Sequence, residues 1–193
     1  GEGADGNGLV IFSDLLSRQD NPDHPAYCQI TSIQPLYTAV QSALDDFNAL
    51  SQKPMHLVLF GYVIEHLCRI ARVISQPYGN ALLIGVGGSG RQSLTRLATS
   101  MAEFNLVQIE ISKNYDMTQW REDIKALLNK AGLEDKKCTL LLSDTQIVHE
   151  TMLEDVNNVL NTGEVPNLWA VDEQQGIIDG VMGAAKEAGK TSA

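Results

Sequence analysis

Four glycines within six residues, Gly85, Gly87, Gly88 and Gly90, separate a short apolar run from a stretch with helical spacing. No other feature limits the fold of this chain as strongly. Glycine lets a backbone approach a ligand closely and take left-handed turns without steric cost. A helix opening directly after such a loop presents unpaired N–H groups and the positive end of its dipole to whatever lies in front. The segment Leu83-Ile84-Gly85-Val86-Gly87-Gly88-Ser89-Gly90-Arg91-Gln92-Ser93-Leu94 therefore reads as a strand, an anion-binding loop and a helix N-terminus. The candidate ligand contacts are Gly85, Val86, Gly87, Gly88, Ser89, Gly90, Arg91, Gln92 and Ser93. A plain glycine turn is the bland alternative, and the density and placement of the glycines argue against it.

The 193 residues suffice for one domain, and 44% hydrophobic with 20% charged residues is ordinary for a globular chain. A net charge of −10 repels phosphate backbones at long range, which argues against nucleic-acid binding through a basic face. A bound nucleotide stays open, because main-chain N–H groups and one or two cations suffice locally. The cysteines, Cys28, Cys68 and Cys138, match no zinc spacing. Cys68 and Cys138 sit in apolar runs and read as buried thiols of a reducing compartment. His24, His56, His66 and His149 are scattered and suggest no metal pair. No secretory leader and no run of about 18 apolar residues is present, so no membrane span is expected. Residues 1–8 read as a flexible start or cloning remnant.

Apolar spacing predicts an amphipathic helix over residues 35–50, with Leu36, Val40, Ala43, Leu44 and Phe47 on one face. A second, largely buried helix is expected to open at Pro54 and to include Leu57, Phe60, Val63, Ile64, Leu67, Ile70, Ala71 and Ile74. Residues 9–12 fit a strand or a docking segment, and residues 17–25, with two prolines, a loop. Residues 81–84 read as the strand before the glycine loop and 93–103 as the helix after it. A strand over 106–111, a helix capped by Thr118 and reaching residue 130, and an apolar strand over 138–142 follow. The chain continues with a helix over 150–160, a turn over 161–167 and a weak, glycine-interrupted helix from Val171. Alternating strands and helices imply an α/β fold with a parallel sheet and right-handed crossovers.

Two chemistries compete for the loop. Gly85, Gly87 and Gly90 fit G-x-G-x-x-G, with Glu110 near the end of the next strand as a ribose-binding acid, which describes a dinucleotide fold. Gly85 and Gly90 also fit the P-loop pattern G-x-x-x-x-G-K-[ST], except that Arg91 and Gln92 replace its last two residues. Thr139-Leu140-Leu141-Leu142-Ser143-Asp144 shifts the balance toward the P-loop. It is an apolar strand delivering an aspartate at its carboxyl end, where a P-loop NTPase holds Mg²⁺. Read alone, Asp144 serves equally well as the N-cap of the next helix.

Longer strings resemble the fourth AAA+ module of axonemal dynein heavy chains. They are residues 54–60 (PMHLVLF), 85–97 (GVGGSGRQSLTRL), 120–123 (WRED), 143–147 (SDTQI) and 161–168 (NTGEVPNL). The similarity runs over residues 30–172. It implies a P-loop NTPase three-layer sandwich with a parallel sheet, truncated, preceded by an N-terminal helical segment. Residues 1–29 would be a flexible linker, 30–172 a partial AAA+ large subdomain and 173–193 a weak helix or frayed tail. The resemblance further implies ATP or ADP on the glycine loop, residues 54–60 near the adenine, and Asp144 on Mg²⁺ directly or through water. Neighbouring AAA+ modules, other dynein subunits and microtubules would be partners, in the axoneme of a cilium or flagellum.

Departures from that pattern weaken hydrolysis and spare binding. Arg91 would take the place of the lysine that contacts phosphate; its planar guanidinium can still pair with phosphate oxygens, though not as a compact point charge. Gln92 offers no hydroxyl to Mg²⁺, and Ser93 lies about 100° further round the helix. Thr145 occupies the position of the water-activating glutamate, and its hydroxyl is too weakly basic for that role. Glu150, the next acid, lies in the following helix. The expectation is a regulatory or structural nucleotide site with slow or no turnover. A dinucleotide-dependent oxidoreductase and a structural module with a vestigial loop are the alternatives. The sensor strand, arginine finger and helical lid of the family have no counterpart among these residues, so apolar strand edges are expected to lack partners.

Overall fold

The computed structural model describes residues 10–21, 25–187 and 189. The expected flexible start and His24 lie outside them. The chain divides into two compact units, one up to Phe104 and one from Asn105.

In the first unit, β1 (Phe12–Ser13) pairs antiparallel with β2 (Cys28–Gln29), Phe12 opposite Gln29. Helix α1 (Leu15–Asp20) overlaps the start of the stretch 17–25 expected to be loop. An ion pair of 2.6 Å from Arg18 to Asp14 and a 2.7 Å bond from Arg18 to the Ser75 hydroxyl hold it, contacts that a one-turn segment does not advertise in sequence. Helices α2 (Ile33–Leu50), α3 (Gly61–Ser75) and α4 (Arg91–Met101) supply the core. Leu36, Val40 and Leu44 of α2, Ile64, Leu67 and Ile70 of α3, and Leu94, Leu97 and Ala98 of α4 are buried together. Each of these leucine, isoleucine and valine side chains contributes about 1.5–3 kcal/mol on leaving water.

Two expectations fail here. The second helix does not open at Pro54 but at Gly61. Residues 54–60 are extended instead, burying Met55 and Leu59 and exposing His56, Val58 and Phe60. The cause is a two-way clasp by the Asn48 amide of α2. Its Nδ2 donates to the Met55 carbonyl at 2.9 Å, and its Oδ1 accepts from the Met55 N–H at 2.7 Å. The helical spacing of Leu57 and Phe60 is overridden by a period-two face. Residues 81–84 form no strand: among the described residues they have no ladder partner, and Leu82 and Ile84 are 85% and 84% exposed. A lone extended segment cannot satisfy its backbone as a sheet does.

In the second unit, β3 (Asn105–Val107) pairs in parallel with β4 (Cys138–Leu140), Asn105 opposite Cys138, and α5 (Met117–Gly132) connects them. The Leu141 N–H donating to the Val107 carbonyl at 2.9 Å carries the ladder one step further. The expected parallel sheet is thus a two-stranded one among the described residues, and β3 is shorter than the stretch 106–111. Asp116, not Thr118, caps α5: its carboxylate accepts from the N–H groups of Thr118 and Gln119, and Gln119 reaches back to the Asp116 N–H. That is a reciprocal capping box, which outcompetes a single hydroxyl. Cys138 is half-buried rather than buried, whereas Cys68 is enclosed as expected.

Helix α6 (Glu150–Thr162) ends at Gly163, whose φ of 75° is left-handed. Ile109, Trp120, Ile124, Met152, Val165 and Leu168 form the second core. The indole N–H of the fully buried Trp120 donates to the Asp155 carboxylate at 2.9 Å. Helix α7 (Val171–Glu187) buries none of its residues, as its weak pattern suggests. No helix of the described residues is long and apolar enough to cross a membrane.

Candidate functional site

The glycine loop belongs to the first unit. Its turn ends at Gly90, and α4 starts at Arg91. Gly88 and Gly90 hold φ of 80° and 76°, left-handed values at which any side chain would be strained. The Leu94 N–H donating to the Gly90 carbonyl at 2.8 Å is the first helical bond. It leaves the N–H groups of Arg91, Gln92 and Ser93 without intrahelical acceptors. A Cβ added at Gly87 or Gly88 would meet nothing within 4 Å, so the backbone there is bare. The arrangement suits an anion, which main-chain N–H groups and the helix dipole would stabilise together. One at Gly90 would lie 3.7 Å from Leu57 Cδ2, so the loop rests beside the segment clasped by Asn48.

Arg91 is oriented differently from the lysine it replaces. Its Nη1 donates to the Leu83 carbonyl at 3.3 Å and its Nη2 to the Val86 carbonyl at 3.1 Å. The guanidinium is therefore folded back onto the chain entering the loop. Gln92 is exposed and Ser93 half-buried.

Asp144 and Thr145 belong to the second unit, and each half of the expected site is described within its own unit. Asp144 does reach the carboxyl end of the chain leaving β4, where it opens a 3-10 turn, Asp144–Gln146. It is not the cap of α6, a position taken by His149. Among the described residues its exposed carboxylate has no hydrogen-bond or ion-pair partner. The Thr145 hydroxyl lies 3.0 Å from that of Ser143, and Glu150 is exposed in the first turn of α6.

Gln146 is the residue that sequence reasoning missed. It is buried, its Oε1 accepts from the Ser143 N–H at 2.7 Å and the Ser143 hydroxyl at 2.9 Å, and its Nε2 donates to the Ile109 carbonyl. It ties the turn carrying Asp144 to the chain leaving β3. The S-x-x-Q pattern of a capping box was the available signal. Phosphate thus fits the loop. For a divalent cation, Asp144 is the one expected ligand, and no group of three His, Cys, Asp or Glu side chains is placed for a metal among the described residues.

The family described as P-loop containing dynein motor region D4 matches residues 55–193, which takes in the clasped segment, the glycine loop and Asp144. The chain belongs to this dynein motor family. Dynein axonemal heavy chain 1 of Mus musculus is 47% identical over 180 residues, covering 93% of this chain and 4% of that protein. Dynein axonemal heavy chain 3 of Mus musculus is 42% identical over 181 residues, 94% of this chain and 4% of that protein. The dynein-1-beta heavy chain of the flagellar inner arm I1 complex of Chlamydomonas reinhardtii is 48% identical over 173 residues, 89% of this chain and 4% of that protein. The chain therefore spans a small part of the relatives it matches. Membership bears out the resemblance to axonemal dynein heavy chains and the P-loop class, and it does not favour the dinucleotide reading.

Proposed function

We propose that this dynein motor segment binds an adenine nucleotide, ATP or ADP, and hydrolyses it slowly or not at all. The supporting observation is the bare, left-handed glycine loop that opens onto the unpaired N–H groups of Arg91, Gln92 and Ser93. Main-chain groups of residues 85–93 would hold the phosphates, and residues 54–60, whose Leu57 lies beside Gly90, would border the adenine. Mg²⁺, which neutralises and orients phosphate oxygens when bound, would be held by Asp144 directly or through water. The reading of slow turnover rests on Thr145, which stands at the position of the water-activating base, pairs with the Ser143 hydroxyl and is too weakly basic for that role.

In the parent protein, residues 30–172 would form part of an AAA+ large subdomain of three-layer build, contacting neighbouring modules of the same heavy chain. The whole protein would move along microtubules in the axoneme with other dynein subunits, driven by ATP hydrolysed at other sites. Calorimetry of the chain with ADP, ATP and NAD tests the nucleotide reading. Saturable binding of ADP or ATP and no response to NAD is expected. At a hundred times Kd, binding should stabilise the fold by about 2.7 kcal/mol. Silence toward both adenine nucleotides would leave the loop vestigial, and a response to NAD alone would restore the dinucleotide reading.

A further inference from the structure

We infer that Arg91 is a positioning residue: it braces the glycine loop through main-chain carbonyls, and its guanidinium is not a phosphate ligand. The second half of this statement rests on the nucleotide reading above; the first does not.

Three observations carry the inference. The two terminal nitrogens of Arg91 engage two different carbonyls, Leu83 at 3.3 Å and Val86 at 3.1 Å, so the first residue of α4 is tied across the loop to the chain entering it. Those carbonyls belong to a segment without a ladder partner among the described residues, and the arginine supplies acceptors there with donors that a sheet would otherwise provide. The side chain lies along Gly85, where an added Cβ would sit 3.5 Å from Nε, 3.6 Å from Cδ and 3.3 Å from the Ser89 hydroxyl. The arginine thus passes in van der Waals reach of the first glycine of the loop.

The chemistry also explains why arginine can fill this place. A planar fork with separate donors spans two acceptors, whereas a lysine offers one nitrogen. The brace restrains a loop whose glycines would otherwise sample many conformations, so less ordering is left for the moment of binding. Phosphate oxygens then meet N–H groups already in place, and the guanidinium stays with its carbonyls.

Arg91→Lys keeps the charge and removes the fork, and Arg91→Ala removes both, so the pair separates a brace from a ligand. Amide hydrogen exchange across residues 83–92 of the full chain reads the brace without any ligand. Exchange should quicken in both variants when nucleotide is absent and converge with the parent chain at saturating ADP. That state dependence separates the brace from a general loss of stability, which would persist with ADP bound. Calorimetry with ADP reads the second half, and both variants should weaken binding to a similar extent. Unchanged nucleotide-free exchange in both variants would overturn the brace. An Arg91→Lys chain at parent affinity, beside a loss of about tenfold or more in Arg91→Ala, would make Arg91 a phosphate ligand after all. A parent chain that fails to bind ADP would sink the nucleotide reading, and the nucleotide-free exchange would still decide the brace.

Discussion

Asn48 holds the segment that sequence spacing assigned to a helix, so removing its amide is the sharpest test of why residues 54–60 are extended. The clasp consists of two hydrogen bonds, 2.9 Å to the Met55 carbonyl and 2.7 Å from the Met55 N–H, and Met55 itself is only 7% exposed. A net contribution of about 1 kcal/mol for each bond gives about 2 kcal/mol lost in Asn48→Ala. Asn48→Asp keeps an acceptor for the N–H but sets a carboxylate oxygen against the carbonyl, so it should cost at least about 1 kcal/mol. Both tryptophans, Trp120 and Trp169, lie in the second unit, so their fluorescence does not follow unfolding of the first. Urea titration read by far-ultraviolet circular dichroism is the suitable assay. Because Leu57 flanks Gly90, ADP affinity should fall in the same variant. A destabilisation below about 0.5 kcal/mol in Asn48→Ala, or an Asn48→Asp chain as stable as the parent, would show that water replaces the clasp and that something else straightens this segment.

Restoring Thr145→Glu together with Gln92→Thr should raise steady-state ATPase activity, since general-base assistance is worth about 10²–10⁴-fold. A parent chain already turning over at ~1 s⁻¹, free of contaminating ATPase, would show that another group acts as base. Burial pushes the Cys68 thiol above its ordinary range, and the charges of Asp14 and Glu65 add to this against a lowering bond from Ser13. Its native pKa being raised, it stabilises the fold fully below the pKa of the unfolded thiol, and that contribution fades as pH climbs toward the native one. The stability advantage of the chain over Cys68→Ala should therefore narrow above about pH 8.5, and a gap constant with pH would contradict the assignment.

The backbone geometry of the glycine loop could be read from the sequence, because glycine leaves a direct signature. Gly88 and Gly90 take φ values that other residues avoid, so their presence between an apolar run and a helix announced the loop. The place of Asp144 just past an apolar strand was legible, but its sequence allowed the N-cap of the next helix equally, and that position goes to His149. What escaped depended on partners distant in sequence. Nothing near Met55 reveals that Asn48 claims both of its backbone groups, and Pro54 is as welcome in a first helical turn as in an extended chain. Arg91 was placed by analogy with a lysine, but its direction is set by two carbonyls that become available only because residues 81–86 form no ladder. The cap of α5 was misjudged locally: Thr118 lies within the helix that Asp116 and Gln119 begin.

That bare stretch before the loop also governs how the chain behaves in a tube. Leu82 and Ile84 face solvent on a backbone that pairs with no strand among the described residues, and only the Leu83 and Val86 carbonyls are covered, by Arg91; the rest is the template from which strands of separate molecules zip together. Concentration thus becomes a variable as consequential as temperature. Dilute samples should keep their helices longest, while crowded ones drift toward intermolecular sheet and, eventually, precipitate.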